Sequence, residues 1–142
     1  MLFSSATGYA LRALAILPED GSYCLAVALS RELDIPGPYL AKILQGLVQA
    51  RILESVRGPK GGYRFAKPSS GITVGDVVEA LEGPDAMDSC AMGFPTCGPE
   101  NPCPLHLAWS EVKAQLDVCL TDVTIRDLRK VGERREPPVA IR

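Results

Sequence analysis

Excess positive charge is missing from this 142-residue chain: 15 Lys and Arg stand against 17 Asp and Glu, a formal net charge of −2. That excludes nucleic-acid binding driven by bulk charge, but not binding through a local cluster of basic residues. Long apolar runs are missing too. No stretch approaches the roughly 20 residues of a membrane span, because charges interrupt every candidate. Met1-Leu2-Phe3-Ser4-Ser5 lacks the basic flank of a secretory signal, and Arg12 breaks the apolar stretch behind it. A cytoplasmic protein with no membrane partner is the expectation. Internal repeats, a phosphate-binding glycine loop opening a helix, and a nucleophile–base pair are all absent, so an enzyme is not expected. Histidine occurs once, as His106.

What is present suffices for a core: 46% of the residues are hydrophobic, which argues against wholesale disorder. A first helix is expected from Ser4 or Ser5, with Ala6, Ala10, Ala13, Leu14 and Leu17 as its apolar stripe and Pro18 as its end. A short second helix follows over Ala26 to Leu33, poorly capped because Leu25 offers no side-chain acceptor. The break at Asp34-Ile35-Pro36-Gly37-Pro38 leads into a third helix to about Ala50. Its Leu40, Ile43, Leu44 and Leu47 would face inward, leaving Tyr39, Lys42, Gln45 and Gln49 outside. Two helices across a tight turn, the second polar on its outer face, form a helix-turn-helix pattern.

A hairpin comes next, Ile52–Val56 and Tyr63–Ala66 around Arg57-Gly58-Pro59-Lys60-Gly61-Gly62. From Arg51 to Lys67 five basic residues face the single acid Glu54. A plain structural turn does not require Arg and Lys at its tip. The order of elements and the basic tip together favour DNA. The fold class is therefore mainly α with a small β-hairpin wing: a winged helix-turn-helix followed by a long helix. Thr73 should cap a fourth helix through Leu81, and Gly83-Pro84 ends it. The long helix starts near Pro104. Its Leu105, Trp109, Val112, Leu116 and Cys119 repeat at four, three, four and three residues, a heptad seam. Packing on the chain's own body and pairing with a partner helix both satisfy that spacing. Thr121 to Lys130 reads as a last helix, with Thr124 and Asp127 at capping-box spacing.

Five cysteines is an odd count, and three fall within the fourteen residues from Cys90 to Cys103. In a reducing compartment such a cluster points to metal or redox chemistry. The pattern is Cys90-x6-Cys97-x5-Cys103-x2-His106, with Gly93, Pro95, Gly98, Pro99 and Pro102 interspersed. A Gly/Pro-rich loop lets thiolates converge. Zinc sites usually contain a Cys-x2-4-Cys pair, and these gaps are wider, which suits an iron–sulfur cluster ligated by three Cys and one His. Zinc ranks second and a thiol-redox switch third, since the switch leaves His106 without a role. A small iron–sulfur electron carrier is a further reading, though no second cofactor motif accompanies the loop. Cys24 and Cys119, flanked by apolar residues, read as core.

Thr7-Gly8-Tyr9-Ala10-Leu11-Arg12-Ala13-Leu14, Ile35-Pro36-x-x-Tyr39-Leu40-x-Lys42-Ile43-Leu44 and Val56-Arg57-Gly58-Pro59-Lys60-Gly61-Gly62-Tyr63 together resemble the bacterial winged-helix regulators that include the iron–sulfur cluster regulator and the nitric-oxide-sensing repressor. The similarity spans Met1 to Lys130. It implies a homodimer paired through the long helix, with Leu105, Trp109, Val112 and Leu116 in the interface. It implies that Cys90, Cys97 and Cys103 ligate a cluster, with His106 where the iron–sulfur cluster regulator has its fourth ligand. Gly8 stands where the nitric-oxide sensors carry an acid, so a 2Fe–2S cluster is preferred and 4Fe–4S is the alternative. The first cysteine gap is one residue longer than in those relatives.

The division expected is a winged-helix DNA-binding domain over 1–83, a cluster-binding loop over 84–104, dimerisation helices over 105–131 and a flexible tail over 132–142. Two recognition helices would enter successive major grooves of a double-stranded operator, about 34–36 Å apart. Tyr39, Lys42 and Gln45 would face bases or phosphates; Arg57, Lys60 and Gly61 would meet phosphate or the minor groove. Cluster loss or oxidation would signal redox state, nitric oxide or iron–sulfur status.

Overall fold

The computed structural model describes residues 3–132. Positions 133–142, most of the expected tail, lie outside the described residues. Helix α1 spans Ser5–Ile16 and starts where the Ser4 hydroxyl accepts the Thr7 N–H at 3.3 Å. Helix α2 spans Ala26–Leu33, and Leu25 supplies no side-chain cap. Asp34 ends α2 in the left-handed region at φ 54°, ψ 50°, a conformation Asp tolerates better than most residues. Helix α3, Gly37–Gln49, buries Leu40, Ile43, Leu44 and Leu47 and exposes Tyr39, Lys42, Gln45 and Gln49.

Strands β1 (Leu53–Val56) and β2 (Gly62–Phe65) pair antiparallel, with Leu53 opposite Phe65 and Val56 opposite Gly62. Cys24 bridges the far edge of β2, exchanging 2.8 Å main-chain bonds with Tyr63. Gly62 is required there. Its φ is +124°, and a Cβ would collide with the Cys24 carbonyl. Helix α4, Val74–Glu82, opens with a full capping box between Thr73 and Asp76.

Helix α5 spans His106–Asp122 and α6 spans Ile125–Gly132. The last helix thus begins later than the sequence suggests. The Thr121 hydroxyl bonds back to the Asp117 carbonyl inside α5, and the chain extends only at Val123. The capping box forms where its spacing placed it, with Thr124 N donating to Asp127 Oδ2 at 3.0 Å and Asp127 N to Thr124 Oγ1 at 3.3 Å.

The main core gathers α1, α2, α3, the hairpin and the start of α6 around Leu14, Leu40, Leu44, Leu47 and Ile125. Arg129 on α6 reaches the C-terminal end of α1, donating to the Leu14 and Leu17 carbonyls and pairing with Glu19 at 3.4 Å. A smaller cluster of Val74, Val78 and Leu120 joins α4 to α5 and takes in Ala86, Met87 and Leu116. Beside it, Val74 N donates to Val123 O and Ile125 N to Ile72 O, each at 2.9 Å. These two bonds pin the exit of α5 to the entrance of α4. Helix α4 itself packs into the main core through Val77, Ala80 and Leu81, so the excursion from the body is the loop and α5 that follow it.

Cys24 is half-buried against the main core. Cys119 is a correction: it is exposed. Apolar neighbours in sequence do not bury it, because helical phase turns Leu120 inward and Val118 and Cys119 outward. Among the described residues no helix is long and apolar enough to cross a membrane.

Ile125 is 0% exposed within the main core. Ile125→Ala should lower unfolding free energy by about 2–5 kcal/mol, read from the urea midpoint at unchanged m-value. A loss under about 0.5 kcal/mol would mean α6 does not belong to this core.

Candidate metal centre and nucleic-acid interface

The loop between α4 and α5 is built from short turns, each closed beside a cysteine. Gly93 N bonds to Cys90 O at 3.0 Å, Cys97 N to Phe94 O at 3.4 Å and His106 N to Cys103 O at 3.0 Å. Gly93 sits at φ +76°, and Gly98 pairs with Asn101 as an isolated bridge. The turns fold three thiols inward. The Sγ atoms of Cys90, Cys97 and Cys103 all lie within 4.8 Å of one another, each half-buried. Cys90 Sγ is 3.6 Å from Cys103 Sγ, and Cys97 Sγ is 3.3 Å from His106 Nδ1. All three cysteines are free thiols.

Electrostatics differ within the trio. The Met92 and Phe94 backbone N–H groups favour the Cys90 thiolate and bring that thiol down to about 7. Desolvation pushes Cys103 the other way, and its thiol neighbours Cys90 and Cys97 add to the rise. Cys97 Sγ accepts the Cys103 N–H at 3.4 Å. Phe94, Thr96, Asn101 and Pro102 wall a shallow concavity against Cys97 and Cys103.

Two further anchors seat the loop on α5. The Trp109 indole Nε1 donates to Ser89 O at 3.1 Å, and Lys113 Nζ reaches Asp88 O at 3.5 Å. Neither contact was foreseeable, since each joins residues 20 or more apart with no local pattern. Trp109 and Leu116 are half-buried against their own chain, whereas Leu105 and Val112 are about half exposed and Leu107 is 79% exposed. The seam is thus split: one edge packs at home, and the other stands unpartnered.

The residues expected to meet DNA lie on α3 and the hairpin. Tyr39, at the start of α3, takes the edge of the Tyr9 ring at 6.0 Å, and Arg12 lies 5.8 Å from the centre of that ring. Lys42, Arg57 and Lys60 are exposed. Gln45 is exposed but not idle: its Nε2 donates to the Tyr63 hydroxyl at 3.1 Å. Gly61 is buried instead. Its N–H bonds to Gly58 O at 3.0 Å, and a Cβ would strike the Val56 carbonyl, so it shapes the wing from inside.

A model of the Rrf2 family, described as iron-dependent transcriptional regulator, matches residues 3–130. An HTH-type transcriptional regulator of Aquifex aeolicus is 33% identical over 143 aligned positions, 99% of each chain. IscR of Vibrio atlanticus is 31% identical over 105 residues, covering 74% of this chain and 60% of that regulator. Among solved structures, CymR, the global cysteine regulator of B. subtilis, matches with a TM-score of 0.74 at 23% identity, covering 92% of this chain and 97% of that one. T. potens IscR matches with a TM-score of 0.68 at 22% identity, over 96% and 92%. At these identities the structures speak for the fold alone, and the fold is the winged helix expected from the sequence.

In metal-free protein, iodoacetamide should modify Cys90 with a half-maximal rate near pH 7, because its thiolate is populated above the lowered pKa of about 7. Cys103, raised above its ordinary 9.0, should react appreciably only in more alkaline solution. Mass mapping across a pH series separates the two. Superimposable pH profiles would contradict the turn-by-turn account of the loop.

Proposed function

Because the chain belongs to the Rrf2 family of transcriptional regulators, we propose that it acts as a homodimeric DNA-binding regulator whose grip on its operator is set by an iron–sulfur cluster held at Cys90, Cys97, Cys103 and His106. The observation that carries this reading is the convergence of three thiols within 4.8 Å of one another in an otherwise irregular loop, with His106 Nδ1 3.3 Å from one of them, Cys97 Sγ. The preference for 2Fe–2S rests on the resemblance to the histidine-ligated iron–sulfur cluster regulator, since His106 stands three residues after Cys103 and Gly8 stands where the nitric-oxide sensors carry an acid. Relatives carrying the name IscR support the same chemistry.

A cluster, when bound, supplies coordination that is sensitive to oxidants, nitric oxide and iron supply. The remaining work belongs to the chain. His106 is the first residue of α5, so ligation there would fix the helix's first turn, while Trp109 and Lys113 tether the loop's entry to the same helix. Leu105 and Val112, exposed in the single chain, would meet a second copy alongside Trp109 and Leu116. Each copy would present Tyr39, Lys42 and Gln45 to a major groove, with Arg57 and Lys60 on phosphate. The mixed electrostatics fit a regulator: net charge is −2, yet Arg57 and Lys60 stand exposed at the hairpin tip.

Protein purified without oxygen should be coloured and contain iron and acid-labile sulfide in equal amounts. Cys90→Ala, Cys97→Ala and Cys103→Ala should each lose both, and His106→Ala should hold them more weakly. Zinc without sulfide in the parent protein would overturn the cluster while leaving the regulator.

A further inference from the structure

Gln45 and Tyr63 belong to different parts of the winged helix, yet they share a hydrogen bond. Gln45 stands on the exposed face of α3, in line with Tyr39 and Lys42. A free glutamine there would sample many rotamers. Instead its Nε2 donates to the Tyr63 hydroxyl at 3.1 Å.

Tyr63 is a stiff partner. It lies on β2 opposite Ser55, its own N–H and carbonyl are both spent on Cys24 at 2.8 Å, and its side chain is part of the main core with 8% exposed. Gly62 beside it cannot be replaced without striking Cys24. The hydroxyl is therefore presented to α3 from a position the hairpin, Cys24 and the core all define.

We infer that Tyr63 is a positioning residue for sequence readout, holding the Gln45 amide so that it recognises adenine in the major groove. This rests on the proposed role of α3 as the recognition helix. A primary amide has two N–H donors and one carbonyl acceptor. One N–H is engaged by Tyr63, leaving one donor and the acceptor. That remaining pair is the complement of adenine, whose major-groove edge offers the N7 acceptor and the N6 amino donor. Guanine, with acceptors at both N7 and O6, matches it on one side only. Tyr63 makes no contact with the base. It acts by removing the cost of ordering a flexible side chain, which is worth roughly a 2- to 12-fold change in equilibrium for a residue of this kind.

The test is selection of binding sites from a pool of random-sequence duplex DNA by the full-length, anaerobically purified protein, repeated with Gln45→Ala and Tyr63→Phe. Tyr63→Phe keeps the ring in the core and removes only the hydroxyl; Gln45→Ala is a surface change. The parent should select adenine at one position per half-site. Gln45→Ala should abolish the preference at that position alone. Tyr63→Phe should weaken it there by roughly 2- to 12-fold, leaving the salt dependence of binding and the other positions unchanged, a pattern that general destabilisation does not produce. If parent and Tyr63→Phe discriminate equally, or if the position lost differs between the two variants, the inference is wrong while the regulator reading stands. If the parent selects no sequence at all, the regulator reading falls and takes the inference with it.

Discussion

Two main-chain hydrogen bonds, Val74 N to Val123 O and Ile125 N to Ile72 O, organise the functional half of this protein. They fasten the end of α5 to the start of α4, beside the core that carries α1 and α3. A cysteine loop in a free arm could rearrange with no effect on the rest of the molecule. Here the arm is closed at its base, and Leu120, Val74 and Val78 pack the closure. A rearrangement of the loop on ligation would act first on α5, which begins at His106 directly after the last cysteine turn. Arg129, one turn into α6, binds the Leu14 and Leu17 carbonyls at the end of α1, so the same junction is also tied to the helix that carries Tyr9 and Arg12.

That arrangement separates what must be rigid from what may respond. The end built on α3 is densely buried, with Leu40, Leu44 and Leu47 at 1% exposure or less, and the hairpin is keyed to α3 through the Gln45–Tyr63 hydrogen bond. The cysteine end is held by turns, two contacts to α5 and little buried apolar area. Local opening concentrates where buried contacts are few. A loop of that kind is suited to being ordered by ligation. The exposed edge of α5, with Leu105, Leu107 and Val112, fits the same division, because contiguous exposed apolar patches commonly mark interaction sites.

Much of this was legible in the sequence because it is written locally. Pro18, Gly83 and Pro84 end helices near where they stand, Thr73 caps α4 as expected, the Thr124–Asp127 spacing forms its box although the helix it opens was expected from Thr121, and the four leucine and isoleucine positions of α3 give its inner face. The cysteine spacing, with glycines and prolines between, likewise announced a loop that could gather thiols, and the distances bear out the gathering. What was hidden is long-range. The Trp109–Ser89 bond, the Arg129 clamp on α1 and the Val74–Val123 and Ile125–Ile72 main-chain bonds join segments with no periodic relation. Cys119 shows the limit of neighbour-based reading: Val118 and Leu120 flank it equally, but only helical phase against α4 decides which of the three is covered. Gln45 shows another limit, since an outward polar residue looked unengaged until the wing was folded beside it.

The central claim is that ligation in the loop is transmitted to the reading end through α5. The most direct measurement is the equilibrium affinity of one operator duplex for protein carrying the proposed cluster and for the same preparation after chelation, at one salt concentration and without oxygen. The account predicts affinities differing by about 5- to 150-fold, the range of coupling through a two-state element. Equal affinities, with the secondary structure and dimeric state of the chelated protein intact, would contradict it.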